Sequence, residues 1–254
     1  MRKVSALAVL CITLTVAVCA QEAVPGEILG RTWLIKNNAA NKYGTAFVVE
    51  HKGEGYLVTA RHMVEGLPDT KATIDVWQEG TWKTLNTVKT LFPKSSDVDI
   101  AVLKLGEKVP KPYEITADDT GGGFTFGQQV WFLGYPYQIG TRFGAKSSMA
   151  NWNPPFIKRG TLSAVDGRDA DAVVLYVDGF NNPGFSGGPV VYWDFTLHKY
   201  KIAGVVKGFK EDTAKVVING QHVDTQLFVN SGILIAYSIK HAIDAIEADD
   251  KQQH

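Results

Sequence analysis

The stretch NNPGFSGGPVVYWDF, Asn181–Phe195, sets one serine, Ser186, among glycines and then runs into β-branched and aromatic residues. Glycines beside a hydroxyl let the backbone take conformations closed to other residues and let a carbonyl approach bare N–H groups. The same composition also describes an ordinary surface turn. The residues after the serine decide the fold class. Gly184-Phe185-Ser186-Gly187-Gly188 formally fits the G-x-S-x-G elbow of α/β-hydrolases, but that architecture needs a helix after the serine and its acid and base later in the chain. Here Pro189 interrupts any helix, and Val190, Val191, Tyr192 and Trp193 favour a pleated sheet.

Upstream, Tyr56–His62 (YLVTARH) is a short apolar run ending in a histidine, and Asp97–Leu103 (DVDIAVL) sets a carboxylate at the mouth of another. A serine hydroxyl becomes a competent nucleophile when an imidazole takes its proton. The imidazole in turn needs a carboxylate to fix its tautomer and stabilise its charged form. The chain order is His62, then Asp97 or Asp99, then Ser186. The other histidines, His51, His198, His222, His241 and His254, stand outside any motif and read as surface or structural.

With these residues the sequence resembles the chymotrypsin-like (trypsin-fold) serine peptidases and is similar to their bacterial, HtrA-like branch, without a PDZ-like segment. The motifs that carry the resemblance are GTAFVV (Gly44–Val49), VTARH (Val58–His62), DIAVLKL (Asp99–Leu105), VWFLGYP (Val130–Pro136), RGTLSAV (Arg159–Val165), GFSGGPVV (Gly184–Val191), IAGVV (Ile202–Val206) and GILIAYSI (Gly232–Ile239). It spans nearly the whole chain after residue 30. The resemblance implies an all-β fold of two antiparallel six-stranded barrels with a C-terminal α-helix packed on the second barrel. It implies His62 as general base, Asp99 rather than Asp97 as its orienter, Ser186 as nucleophile and the backbone N–H groups of Gly184 and Ser186 as the oxyanion site. Asp178, Gly179 and Phe180, with Lys207, Gly208 and Phe209, are the expected specificity pocket.

Three departures from the family pattern stand out. Phe185 takes the place of an aspartate that, in animal members, pairs with a newly cut N-terminus, so activation by N-terminal insertion is not expected. Lys207 stands where many relatives carry a serine that supports the triad aspartate. The pocket residues combine Asp178 with two phenylalanines, and Val206 replaces a histidine of glutamate-specific relatives, so cleavage after small or medium apolar residues is expected.

The chain has 254 residues, 45% hydrophobic and 20% charged, enough for one large all-β domain or two small ones. About a dozen short apolar or alternating runs are split by Gly, Pro, Asn and Asp clusters, with no alternating helices to build a parallel sheet. The expected organisation is a signal peptide at 1–20 and a peptidase domain at 21–246, with barrels near 30–115 and 124–237 joined at Thr116–Gly123. A frayed polar tail is expected at 247–254. Ser238 is placed to cap a last helix whose Ile239, Ala242, Ile243 and Ile246 share one face.

Arg2-Lys3, the apolar run Val4–Val18 and Val18-Cys19-Ala20 have the parts of a secretory signal cleaved after Ala20. The expected location is therefore secreted or periplasmic, with no stable membrane insertion after cleavage; lipoprotein anchoring at Cys19 is the lesser reading. Both cysteines, Cys11 and Cys19, fall in that segment, so a mature chain carries no disulfide. With 26 basic and 26 acidic residues, loss of Arg2 and Lys3 leaves 24 against 26, a balance that gives no reason to invoke nucleic acid. No HExxH, paired CxxC or phosphate-cradling loop is present, so no metal or cofactor is expected. The expected function is a secreted serine endopeptidase acting on protein or peptide through an acyl-enzyme; the alternative is a catalytically silent protease-fold binding or scaffold protein.

Overall fold

Residues 23–106, 113–114, 124–141 and 151–252 are described in the computed structural model. The segment read as a signal peptide and the Thr116–Gly123 seam lie outside them. A short helix, α1 (Gly26–Gly30), precedes the first set of strands: β1 (Thr32–Asn37), β2 (Lys42–His51), β3 (Glu54–Thr59), β4 (Thr73–Gln78), β5 (Thr81–Leu91) and β6 (Ala101–Leu105). Their neighbour order is β1-β4-β5-β6-β3-β2, and β2 returns to pair with β1, so the six strands close on themselves. A two-residue strand, β7 (Tyr113–Glu114), adds in parallel to β2.

The second set is β8 (Gln129–Gly134), β9 (Phe156–Asp166), β10 (Val174–Asp178), β11 (Pro189–Asp194), β12 (Lys199–Ile218) and β13 (Gln221–Ser238). It forms a closed antiparallel barrel in the order β10-β13-β12-β11-β8-β9. Closure removes the unpaired edges that an open sheet would expose.

The unbroken apolar runs in β2 and β3 have a physical reason. Ala46, Val48 and Leu57 point into the first barrel with Ile35, Ile74, Val76 and Leu103, while Phe47, Val49, Tyr56 and Val58 are buried on the outside. That outer face is covered by the C-terminal helix, α2 (Lys240–Gln252). Its Ala242, Ile243 and Ile246 pack with Tyr56, Val58, Leu91 and Val102, and each isoleucine contributes roughly 1.5–3 kcal/mol. The same cluster takes in Val205 and Tyr237 of the second barrel, so the helix rests on both barrels, where the expectation named only the second. A hydrophobic stripe specifies burial without naming the partner face.

The tail is also corrected. The helix continues through Glu247 to Gln252, because Asp249 is buried and accepts from Lys89 Nζ on β5 at 2.6 Å, while Asp250 accepts from Lys52 at 3.1 Å. At the other end the Lys240 N–H donates to Ser238 Oγ at 3.3 Å, as the cap requires. No helix of the described residues is long and apolar enough to cross a membrane.

Candidate active site

His62 sits in a single 3-10 turn, Arg61–Met63, at the end of β3. That turn is held from two strands: Asn37 Nδ2 donates to the Met63 carbonyl at 3.0 Å, and Lys42 Nζ to the His62 carbonyl at 3.1 Å. Asp99 lies just before β6, between Val98 and Ile100, both fully buried. One carboxylate oxygen accepts the His62 backbone N–H at 2.9 Å, and the other faces His62 Nδ1 at 2.7 Å. An ionised carboxylate only accepts, so Nδ1 carries the proton and Nε2 is left with its lone pair. Burial pushes the Asp99 carboxyl up, but the His62 ring, its backbone N–H and the Lys207 charge outweigh burial and hold it below the ordinary carboxylate range. Asp97 is an exposed loop residue whose N–H donates to Ser95 Oγ.

Ser186 comes from the second barrel, on the loop that enters β11. The carbonyls before and at the serine are individually held. Pro183 O accepts from Tyr137 N–H at 2.9 Å, Gly184 O from Thr45 Oγ1 at 2.7 Å, Phe185 O from Gly188 N–H at 2.8 Å and Ser186 O from Thr45 N–H at 2.9 Å. With those oxygens turned away, the N–H groups of Gly184 and Ser186 have no protein acceptor among the described residues. Gly184 has φ +104°, and a Cβ there would collide with the Tyr135 carbonyl. Gly187 is likewise at positive φ and lies against the Thr45 carbonyl, so no other residue fits either position.

The Ser186 hydroxyl donates to the Lys207 carbonyl at 3.0 Å rather than to the His62 ring. Such contacts are often loose without substrate. Phe185 is fully buried and meets Phe132 edge-on at 5.3 Å. Apolar packing thus occupies the position where an ion pair to a new N-terminus would form, and Val24 and Ile28 pack elsewhere, with Trp131, Leu133 and Tyr200.

Of the expected pocket residues, Asp178 is exposed at the end of β10, Lys207 is exposed, and Gly208 and Phe209 are half-buried. Phe180 is 56% exposed, so its ring lies partly in solvent instead of filling an enclosed pocket. Lys158, on β9, was not singled out by sequence. Its ammonium lies 5.5 Å from the centroids of both Phe180 and Phe185 and donates to the Phe180 carbonyl at 2.7 Å and to Asn182 Oδ1. Desolvation pushes it below the usual lysine range.

A family model for the trypsin-like peptidase domain matches residues 44–195, which include His62, Asp99 and Ser186. The chain belongs to the trypsin-like peptidase family. Among solved structures the chain is similar to the HtrA-type protease AlgW with a tripeptide, at 19% identity and TM-score 0.56 over 87% of this chain and 60% of that one. The serine endoprotease from Yersinia pestis matches at 18% identity and TM-score 0.55, over 89% and 67%. The Rv3671c protease from M. tuberculosis, active form, matches at 17% identity and TM-score 0.54, over 87% and 81%. The chain thus spans about three fifths of AlgW's length. No protein with a curated description matches it.

Thr45 is the residue of this trypsin-like site that sequence reasoning passed over. Its N–H and hydroxyl hold the Ser186 and Gly184 carbonyls, its Oγ1 accepts the Tyr135 N–H at 3.1 Å, and its carbonyl accepts Thr59 Oγ1 at 2.7 Å. One side chain of the first barrel therefore ties together the serine loop and the end of β8. The only signal in the sequence is its place in GTAFVV.

Proposed function

We propose that the chain is a serine endopeptidase in which His62, Asp99 and Ser186 act as a triad. The observation that carries this reading is the doubly bonded Asp99–His62 pair, with a serine loop bonded to Thr45 of the same barrel and Gly184 and Ser186 N–H groups that have no acceptor among the described residues. Ser186 Oγ attacks a peptide carbonyl while His62 Nε2 takes its proton. The resulting oxyanion is bound by the two N–H groups, and His62 then protonates the leaving amine. Water repeats the sequence on the acyl-enzyme, giving up its proton to His62 as Ser186 departs. Asp99 holds the ring and stabilises the imidazolium between these steps.

Cleavage after Val, Ala or Leu is the preference we favour. The fixed Lys158 ammonium beside Phe180 and Phe185 opposes a cationic substrate side chain, and Val206 offers no partner for an acidic one. Digestion of a mixed peptide library and sequencing of new termini tests this; cuts confined to Arg and Lys, or to Glu, contradict it. Export through the 1–20 segment, with a mature start near Gln21, belongs to the same proposal. Intact mass of exported protein checks it, and a lipid adduct on Cys19 would favour anchoring instead.

Ser186→Ala and His62→Ala are each expected to reduce turnover by on the order of 10⁶, because triad members act as a unit. Asp99→Asn is expected to be severe but less complete. Wild-type turnover in Ser186→Ala rejects the mechanism. No turnover of any peptide by the wild-type protein supports the scaffold reading.

A further inference from the structure

β1 and β4 are paired at two positions only, Ile35 opposite Val76 and Lys36 opposite Asp75. One residue further on, Leu34 and Trp77 no longer pair with each other, and each strand stays in its other ladder, β1 with β2 and β4 with β5. A cleft of about 560 Å³ lies where they part. It is walled by Trp33 on β1, by Trp77 and Gln78 on β4, and by Asn151, Trp152 and Asn153 ahead of β9. That volume is in the range of small-molecule sites. Trp77 and Asn153 also line an adjoining cleft of about 350 Å³, together with Trp82 and Tyr43. None of His62, Asp99, Ser186 or the expected specificity-pocket residues borders either space.

Four of the chain's six tryptophans therefore stand around two adjoining clefts. Trp77, Trp82 and Trp152 are half-buried and belong to no buried cluster, so packing of the core does not account for them. Rings of this size left partly in water and gathered in one place mark a ligand groove. They are also held in position. Trp33 Nε1 donates to the Gly30 carbonyl at 3.0 Å, Trp77 meets Trp82 edge-on at 5.3 Å, and Trp82 meets Tyr43 at 6.0 Å. Thr141 N–H fixes the Asn153 carboxamide by donating to its Oδ1 at 2.8 Å. Gly26 and Gly30 of α1 complete the wall of the larger cleft, and a Cβ added at either would meet nothing within 4 Å.

Charge and hydrogen bonding narrow the ligand. Glu79 is the one carboxylate among the described lining residues, and it is paired with Lys83, while Lys36 Nζ lies 5.5 Å from the centroid of the Tyr43 ring. The protein's own ammonium groups thus take up the acceptors that a cationic ligand would need. A wholly apolar ligand would strip water from the Gln78, Asn151 and Asn153 carboxamides and replace none of its hydrogen bonds. A sugar ring meets both demands. Its weakly positive C–H groups suit the negative face of an indole, and its hydroxyls donate and accept, as a carboxamide does. We propose that the cleft binds a neutral oligosaccharide, with one ring among Trp33, Trp77 and Trp152 and a second beside Trp82 and Tyr43. This binding goes beyond the peptidase reading and does not depend on it.

The test is isothermal titration calorimetry of the purified protein with cellotetraose, maltotetraose and tetra-N-acetylchitotetraose, and with tetramethylammonium and a Phe-Ala-Phe peptide as the cationic and apolar probes. One of the three sugars is expected to bind, and to bind Ser186→Ala equally well, since the site lies apart from the nucleophile. Trp77→Ala is expected to weaken that binding about thirtyfold, the loss typical of a central aromatic residue in a binding site. Gly30→Leu removes no contact and fills the bare wall, so it is expected to weaken binding to a similar extent even where Trp77→Ala does not fold. Absence of binding by all three sugars overturns the inference, whether or not tetramethylammonium or the peptide binds. So does a sugar affinity that folded Trp77→Ala and Gly30→Leu both retain in full.

Discussion

Thr45 shows how much of the candidate site's geometry can rest on one hydroxyl. It accepts from the Tyr135 N–H and donates to Gly184 O, so it serves as donor and acceptor at once. Thr45→Val keeps the shape and removes both bonds. It is expected to lower kcat on the order of 100-fold with KM little changed, as loss of an oxyanion donor does; Thr45→Ser is expected to restore most of it, and steady-state kinetics on one peptide separates the two. The residues of the proposed triad could be named from the sequence because nucleophile, base and carboxylate are demanded by the proposed chemistry and lie in recognisable apolar runs. Thr45 was not. Its partners stand 90 and 139 residues away along the chain, and nothing local to GTAFVV announces them. Lys158 escaped for the same reason, its partners Phe180 and Asn182 lying on a different loop.

At the scale of elements, strands with one or two buried faces could be read from their apolar patterns, as in Tyr56–Thr59 and Val190–Trp193. β5 could not, because its inward positions include Thr87 and its remaining positions are largely Lys, Thr and Asn. In the outer half of the β12–β13 hairpin only the short run Lys215–Ile218 could be read as strand, since a ribbon exposed on both faces has no burial to impose alternation. The helix was legible as a helix, but only one of the two barrels it packs against was. Ile246→Ala on α2 is expected to cost about 2–5 kcal/mol through the cavity it leaves against the first barrel, measurable by urea unfolding.

The same helix carries a pH effect. Burial chiefly depresses the pKa of His241, whose Nε2 accepts the Val173 N–H at 2.9 Å and so must be neutral. A histidine depressed on folding stabilises above its unfolded value near 6.5, and that contribution is lost as pH falls below it toward the folded value. Tm is therefore expected to drop between about pH 6.5 and 5 in the wild type. His241→Gln, which keeps an acceptor without titrating, is expected to show a smaller drop; identical slopes in the two proteins contradict the assignment.

Across the whole molecule, the two barrels are joined at the site itself and by α2, whose cluster includes Val205 and Tyr237 from the second barrel with Tyr56 and Val102 from the first. Residues 23–252 contain no cysteine, so packing alone holds this arrangement, and activity and Tm are expected to be unchanged by reducing agent. His62 and Asp99 come from one barrel and Ser186 from the other, so a reactive serine exists only if the two are docked as described. Labelling with a fluorophosphonate, which reacts only with an activated serine beside a formed oxyanion site, tests that most directly. The account predicts one adduct by intact mass, mapped to Ser186 by peptide sequencing and absent from His62→Ala. A folded wild-type protein that takes no adduct, or one that carries it on another serine, contradicts the account.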